Sequence, residues 1–384
     1  MLIGRVILAV LAVALLAGRP RSAATAALVA ALAGADVALG ASAGSAVSVL
    51  APLVAFLSAA LTLARLAERS GLAERTAWVL AVGARGSTLS LYGSVCALCA
   101  VLTAAVSLDA AVVLMVPVLL VLADRYAAPM RPLFLGVVAV ANAASIAVPL
   151  GNPTNLVLID RLDLSPATFV AHMLPAGLLA AALCAGAVAL GERRALTAAC
   201  RWPHRQPTPL SGAEWHAALS LSAAAVAAWG APLVGIAPWW AFTSTVAAAL
   251  ALARRRPQLI IPWRIATQLG ALLIIIASLG LRAPPLPHGL LGLLALAAGI
   301  GAASALVNNL PVSVWAATLL VGPAGYAASI GLAVGSLATP QGSVATLIAT
   351  DLAGATAAPF PIRQFAPLAA LAVIAATLLL WAGL

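Results

Sequence analysis

Polar residues interrupt long apolar stretches at four places in this sequence, and their types suit chemistry. Two interruptions are short polar runs, Ser107-Leu108-Asp109 and Asn308-Asn309-Leu310-Pro311. The other two combine proline and glycine, VPLGNPTN at 148–155 and ATPQGSVAT at 338–346. In an apolar surrounding such breaks leave backbone groups unsatisfied, so they persist only where they line a cavity inside the protein. The pattern therefore predicts one buried cavity with polar walls.

Asp109 is the most informative of these residues. The other acids lie near the ends of apolar stretches or in loops, and no basic residue is close to Asp109 in the sequence. An ionisable side chain deep in a membrane is costly and marks a functional site by default. We expect Asp109 to exchange a proton, and the alternative is a neutral acid with a capping role only. When the halves are aligned by their breaks, Asp109 pairs with Asn309, and both suit the N-cap of a half-helix.

Neutral donors and acceptors accompany Asp109 in the predicted binding site. They come from the two polar runs and the two breaks: Ser107, Asn152, Thr154, Asn155, Asn308, Asn309, Thr339, Gln341 and Ser343. Half-helices that begin there would direct their positive dipole ends and free N–H groups into the cavity. We expect these groups to bind a small solute or ion near the middle of the membrane. For any single break the alternative is a packing bend.

Composition indicates which elements position these residues. Of 384 residues, 64% are hydrophobic and 8% are charged, whereas about a quarter are charged in ordinary soluble domains. Apolar stretches long enough to cross a bilayer as helices recur along the chain. They lack the alternation of a transmembrane β-barrel strand. The predicted fold class is an all-α polytopic membrane protein.

Several function classes are excluded by residue types. All 20 basic residues are arginines, they lie between apolar stretches, and no basic face interleaved with aromatic residues predicts a nucleic-acid partner. The absence of lysine excludes a Walker-type phosphate loop. No metalloprotease, serine hydrolase or zinc motif is present. Cys96 and Cys99 share a helix face, but no histidine joins them, so we predict no metal, no cofactor and no enzyme.

A polar, proline-rich segment divides the chain into two halves. Residues 191–212 are predicted to be a cytoplasmic linker between a first repeat at 1–190 and a second at 213–384. Each half shows three apolar spans, one interrupted double-length segment and two further spans. This order predicts about ten transmembrane helices and two re-entrant hairpins, with a helix broken at the midplane in the span after each hairpin. The first 18 residues are interpreted as a span, not a cleaved signal peptide, because the symmetry requires them.

The arginines orient the chain in the membrane. If the first span runs from outside to inside, all arginines except Arg5, Arg161 and Arg282 face the cytoplasm. The first hairpin then opens inward and the second opens outward, as an inverted-topology repeat requires. Both termini lie outside, and the predicted location is the inner (plasma) membrane of the cell.

Five stretches of this chain resemble the ion transporter superfamily, and within it the arsenite/antimonite permeases. They are LAPLVAFLSAALTLARLAERSGL (50–72), TAAVSLDAAVVLMVPVLLVLADR (103–125), VANAASIAVPLGNPTNLVLI (140–159), VNNLPVSVWAA (307–317) and GSLATPQGSVATLIA (335–349). Three positions depart from the permease pattern. In the second break Gln341 replaces an apolar residue and Val344 replaces leucine, and Leu108 replaces the asparagine that often precedes the hairpin aspartate.

The resemblance implies a secondary transporter that exports arsenite or antimonite, coupled to protons or to the membrane potential. It also implies a homodimer as the common assembly, and it allows but does not require a soluble ATPase partner. A fixed charge on Asp109 without a nearby cation favours a neutral solute or a cation over a dianion. The alternatives are a sodium/proton antiporter or an organic-anion (dicarboxylate) carrier of the same fold. The alternative class is a non-transporting membrane protein.

Overall fold

The described part of the protein is built from α-helices. The computed structural model describes residues 2–18, 22–42, 44–202, 209–252, 259–280, 289–356 and 359–384. Over these ranges it contains 18 α-helices and no β-strand. The helices of the first half are α1 (Leu2–Gly18), α2 (Ala23–Ala38), α3 (Gly44–Ser70), α4 (Leu72–Ala84), α5 (Thr88–Val106), α6 (Leu108–Tyr126), α7 (Met130–Ala144), α8 (Pro153–Arg161), α9 (Pro166–Gly191) and α10 (Arg193–Leu196). The helices of the second half are α11 (Gly212–Gly230), α12 (Pro238–Leu252), α13 (Trp263–Ser278), α14 (Gly289–Val307), α15 (Asn309–Leu319), α16 (Ala324–Ala333), α17 (Val344–Ala353) and α18 (Ile362–Gly383).

Six described helical segments are long and apolar enough to cross a bilayer. They are Leu50–Ser70, Thr88–Val106, Met130–Ala147, Pro166–Gly191, Gly289–Val307 and Ile362–Gly383. Shorter apolar helices of 10–17 residues accompany them in both halves. Runs of alanine, leucine and valine form helices here because hydrocarbon satisfies no backbone group, so each must be paired within its own segment. The predicted fold class, an all-α polytopic membrane protein, is confirmed.

The linker closes the base of the first hairpin. Two consecutive linker residues bond to opposite limbs: the Cys200 N–H donates to the Gly86 carbonyl before α5 at 3.0 Å, and the Arg201 N–H donates to the Tyr126 carbonyl at the end of α6 at 2.8 Å. The Thr88 hydroxyl also donates to the Ala198 carbonyl. Because one short segment reaches both ends, the double-length segment folds back on itself. Linker residues 203–208 lie outside the described residues.

Both hairpin tips lie inside the protein. Ser107, between α5 and α6, is 1% exposed, and Asn308, between α14 and α15, is 4% exposed. Each is a single residue with a positive φ, +120° and +132° respectively. A connection between two complete crossings of the bilayer would reach water at the membrane surface. The buried tips therefore agree with hairpins that enter and leave on one side.

The two helix breaks share one backbone conformation. In the first break, between α7 and α8, Val148 has φ −141° and ψ 154°, and Asn152 has φ −144° and ψ 133°. In the second, between α16 and α17, Thr339 has φ −139° and ψ 155°, and Ser343 has φ −128° and ψ 134°. Extended residues thus flank a short turn in both, and a half-helix follows. The same irregular geometry in both halves is what an internal repeat produces.

Helices of the two halves interlock around the centre of the molecule. The hairpin limb α6 packs against α17, and the limb α15 packs against α8. In the same way α3 packs against α12, and α13 packs against α2. In each case a helix of the first half contacts a helix of the second half, and the corresponding helices contact each other with the halves interchanged. Such paired contacts are typical of units related by a two-fold axis. Each hairpin therefore contacts the half-helix of the other repeat, which places all four interruptions together.

One helix of the first half was not predicted. Helix α4 follows α3 after Gly71, a residue with φ +91°, and packs against α5 and α6. It carries Glu74 and Arg75 in its first turn, and its residues fall between two predicted spans. In the second half α13 ends at Ser278 and α14 begins at Gly289, and residues 281–288 between them lie outside the described residues.

Ion pairs join helix ends of the first half. Arg131 at the start of α7 contacts Glu192 after α9 at 2.7 Å, and Arg5 on α1 contacts the buried Asp36 on α2 at 3.3 Å. The positive charge of arginine at these ends balances the negative charge of carboxylates that would be unfavourable alone in hydrocarbon. Several arginines used for the predicted orientation lie outside the described residues: Arg19, Arg21, Arg205, Arg254, Arg255, Arg256 and Arg282.

Candidate functional site

The residues at the hairpin tips cap the returning helices. The Ser107 hydroxyl accepts from the Ala110 N–H at 3.4 Å, and the Asn308 side-chain carbonyl accepts from the Leu310 N–H at 3.2 Å. The prediction that Asp109 and Asn309 are the N-caps was therefore wrong. A one-residue turn with positive φ places the cap on the turn residue, since only its side chain can fold over the next N–H groups.

This geometry also corrects the predicted pairing of the two tips. Ser107 and Asn308 share positive φ values and capping bonds, so they are the equivalent positions. Counting onward, Leu108 pairs with Asn309, and Asp109 pairs with Leu310. The acid in the first turn of α6 consequently has no polar counterpart in α15, and the site is chemically asymmetric.

Four of the predicted site residues line one small cavity at the centre of the molecule. Asp109 comes from the first hairpin, Asn152 and Thr154 from the first break, and Asn309 from the second hairpin. The cavity volume is about 10 Å³, which is close to the space that one water molecule needs. We call it the central cavity. Residues from both halves of the chain line it, so neither half alone could build it.

Asp109 lies in a strongly desolvated position. Its side chain is buried, and its Oδ1 atom has no hydrogen-bond partner among the described residues. The remaining wall of the central cavity is mostly aliphatic, with Leu53 and Leu57 from α3 and Val344 from α17. None of the described residues that line this cavity is basic. A carboxylate without a counter-ion in such a place is stabilised only by a proton, a cation or a solute that donates hydrogen bonds.

The first break is held together by its asparagines. The Asn152 amide donates to the Ser145 hydroxyl at 3.3 Å, and its carbonyl accepts from the Thr154 N–H at 3.0 Å. The Asn155 amide donates to the carbonyls of Ser145 and Val148 at 2.8 and 3.0 Å. These bonds satisfy backbone groups that the break leaves free. Asn155 lies beside the central cavity residues in sequence but is not part of the cavity wall.

The second hairpin is tied to the second break. The Asn308 amide donates to the Gln341 carbonyl at 2.8 Å, and the Asn309 N–H donates to the Gly342 carbonyl at 2.8 Å. The Thr339 hydroxyl donates to the Ala305 carbonyl on α14. No equivalent bond joins the first hairpin to the first break in the part of the chain that the structure describes. The short side chain of Ser107 cannot make the contact that Asn308 makes.

Several buried oxygen atoms near the breaks lack a hydrogen-bond partner among the described residues. They are Thr154 Oγ1, Asn155 Oδ1, Ser343 Oγ and Thr346 Oγ1. Ser343 occupies the N-cap position of α17 without making a capping bond. Thr346 was not selected from the sequence, although it is the repeat equivalent of Asn155. Aligning the two breaks by their matching backbone conformations would have paired Thr346 with Asn155.

Two further cavities lie next to the hairpin tips. The first, which we call the outer chamber, has a volume of about 250 Å³, and its wall includes Ser48, Phe56, Ser107, Leu150, Leu156 and Trp239. The second, which we call the inner cleft, has a volume of about 20 Å³, and its wall includes Gln268, Leu272, Asn308, Gln341 and Leu347. The names follow the orientation predicted from the arginines. Of the predicted site residues, Thr339 and Ser343, like Asn155, line none of these three cavities.

Comparison with known proteins gives a family for this arrangement. A family model described as a citrate transporter matches residues 7–333, which is most of the chain. The family consists of secondary transporters, not enzymes. No curated protein matches the chain. The resemblance to an ion-transporting permease is supported at the level of this family, while the arsenite permease branch is not confirmed. The chain belongs to the citrate transporter family.

Proposed function

We propose that the protein is a proton-coupled transporter of a small carboxylate of the citrate class. The observation that carries this proposal is Asp109, a buried acid with an unpartnered oxygen at a cavity where both repeats meet. The family match supplies the class of solute. The asparagine and threonine side chains around the cavity offer hydrogen bonds to carboxylate and hydroxyl groups without adding net charge.

The coupling follows from electrostatics. An ionised Asp109 about 6 Å from a solute carboxylate would repel it by about 3 kcal/mol at an effective dielectric constant of about 20. None of the described residues around the central cavity is basic, so none of them could offset that repulsion. A proton on Asp109 removes the repulsion and turns the acid into a hydrogen-bond donor. We therefore expect solute and proton to bind together, with the affinity rising as the pH on the binding side falls.

Arsenite or antimonite export is the second candidate function. It is favoured because the described wall of the central cavity holds no basic residue to bind an anion, whereas uncharged arsenous acid would meet amides and hydroxyls in place of thiols. In this case too, the proton gradient or the membrane potential would drive transport through Asp109. Sodium/proton antiport is a further candidate, which proton release driven by sodium would detect. A homodimer in the inner membrane is the proposed assembly, and a soluble ATPase is not needed for this mechanism.

The test is uptake of radiolabelled citrate into cells and proteoliposomes that contain the wild type, Asp109→Asn or Asp124→Asn. Asp124 is the matched control, since it is an exposed acid on the same helix α6. We expect citrate uptake by the wild type to increase when the external medium is acidified. Asp109→Asn should reduce pH-driven accumulation by more than about tenfold, because one pH unit of driving force corresponds to a tenfold gradient.

The outcomes separate the candidates. Unaltered pH-dependent uptake by Asp109→Asn would contradict the role of Asp109. If the wild type transports no citrate but lowers arsenite accumulation in a sensitive host, the solute is arsenite. If neither solute moves while sodium drives proton release from the vesicles, the protein is an antiporter.

A further inference from the structure

The outer chamber and the inner cleft occupy equivalent positions in the two repeats. The wall of each includes one long helix, α3 or α13, together with a hairpin tip and the residues around a break. The matching wall positions are Pro52 and Gln268, Leu53 and Leu269, Phe56 and Leu272, Ser107 and Asn308, Leu150 and Gln341, Pro153 and Val344, and Leu156 and Leu347. Seven matching pairs from three elements identify the cavities as counterparts.

The two counterparts differ in size. The outer chamber has a volume of about 250 Å³, and the inner cleft about 20 Å³. The difference coincides with the bond from the Asn308 amide to the Gln341 carbonyl, which joins tip and break beside the inner cleft. The structure thus has one wide and one narrow counterpart. In a carrier built from inverted repeats, the narrow one is the space that widens when access changes sides.

The two counterparts also differ in chemistry. Three positions that are proline, serine or leucine in the outer chamber, Pro52, Ser107 and Leu150, are amides in the inner cleft. Amide groups bind carboxylate and hydroxyl oxygens by hydrogen bonds and carry no charge that would hold an anion too strongly. The outer chamber is instead mainly apolar, with Phe56 and Trp239 among its wall residues.

We propose that Gln268, Asn308 and Gln341 form a second solute subsite, used only when the carrier opens to the cytoplasm. This inference rests on the proposed function and on the orientation predicted from the arginines. The solute would move from the central cavity to these amides before it leaves on the cytoplasmic side. The affinities on the two faces of the membrane are then set by different residues, and a substitution can change one without the other.

The test measures KM for radiolabelled citrate on each face, with right-side-out and inverted membrane vesicles. The variants are Gln268→Leu and Gln341→Leu, and Gln364→Leu is the control, an identical change at an exposed position of α18. We expect KM to rise about five- to tenfold in inverted vesicles, the effect of one lost hydrogen bond. In right-side-out vesicles KM should stay within about twofold of the wild type, and Gln364→Leu should change neither value. Equal effects on both faces, or no effect on either, would overturn the subsite.

A second measurement does not depend on the solute. Gln341→Cys should react with a membrane-impermeant thiol reagent from the cytoplasmic side, and Leu156→Cys should react from the outside. The native cysteines are buried, so the background should be low. If the labelling pattern holds while citrate is not transported, the proposed function fails and the inner opening stands. Labelling of Gln341→Cys from the outside alone would overturn the inference itself.

Discussion

One side chain at each hairpin tip determines where the returning helix begins. Ser107 and Asn308 combine a positive φ with a capping bond. A positive φ costs free energy for residues other than glycine. The cap offsets part of this cost and sets the register of the residues that follow. Asp109 is thereby placed in the first turn of α6, with its carboxylate at the central cavity.

The breaks depend on glycine at one position each. Gly151 lies against the Ser145 carbonyl, and Gly342 lies against the Ser336 carbonyl, so that a Cβ at either glycine would overlap a backbone oxygen. Neither carbonyl can move away easily, because the serines lie in the tightly wound turns of the breaks. The identical requirement in both halves reflects their shared backbone.

We predict that Gly342→Ala and Gly151→Ala each lower the free energy of unfolding by about 1–3 kcal/mol, the usual cost of overpacking. Thermal unfolding followed by fluorescence-detected size-exclusion chromatography measures this. Gly93→Ala on α5 is the control, because no atom lies near a Cβ added there, and alanine is the better helix former. A melting curve for Gly342→Ala equal to that of Gly93→Ala would contradict the packing argument.

At the scale of elements, the linker acts as a clamp on the first hairpin. Residues 198–201 bond to the start of α5, through Gly86 and Thr88, and to the end of α6, through Tyr126. Each limb is a 19-residue helix, about 28 Å long, so its tip lies far from this anchor. The linker therefore fixes the base of the first hairpin. Its tip contacts the first break but, within the described residues, lacks the hydrogen bonds that join the second hairpin to the second break.

We predict that Thr88→Val loosens the clamp and lowers the free energy of unfolding by about 1 kcal/mol. Valine keeps the shape of threonine but cannot donate to the Ala198 carbonyl, and a lost hydrogen bond has about this net value. Thr168→Val on α9 is the matched control, since that side chain is exposed. Increased protease cleavage in residues 197–212 of Thr88→Val, and not of the control, would support the clamp. Equal cleavage of both variants would argue against it.

At the scale of the whole molecule, exchanged contacts between the repeats assemble the site. Helix α6 packs on α17 and α15 packs on α8, so each half supplies one wall of the other half's cavity. Close approach at the crossing of α14 and α16 is permitted by Gly301 and Gly331, where a Cβ would meet backbone atoms. Truncation to one repeat would remove half of the central cavity.

The orientation gives a prediction for the intact protein. We expect Ser42→Cys, in the connection between α2 and α3, to be labelled by a membrane-impermeant maleimide added to whole cells. We expect Arg194→Cys, on α10, to be labelled only in inverted vesicles. Both positions are exposed, so a lack of labelling would not arise from burial. The reverse pattern would show that the positive-inside argument fails for this chain.

The sequence alone determined the helical membrane class, the position of all four interruptions and the burial of Asp109, while the two inverted repeats stay a prediction. These are local properties, since apolar length, proline, glycine and an isolated acid act through the chain on either side of them. Tertiary structure decided that Ser107 and Asn308 are the caps, that Asp109, Asn152, Thr154 and Asn309 share one cavity, and that Asn155, Thr339 and Ser343 do not line it. It also decided that the two equivalent cavities differ in volume. Contacts between residues about 200 positions apart set these features, and local helix energetics cannot choose among the registers that such contacts select.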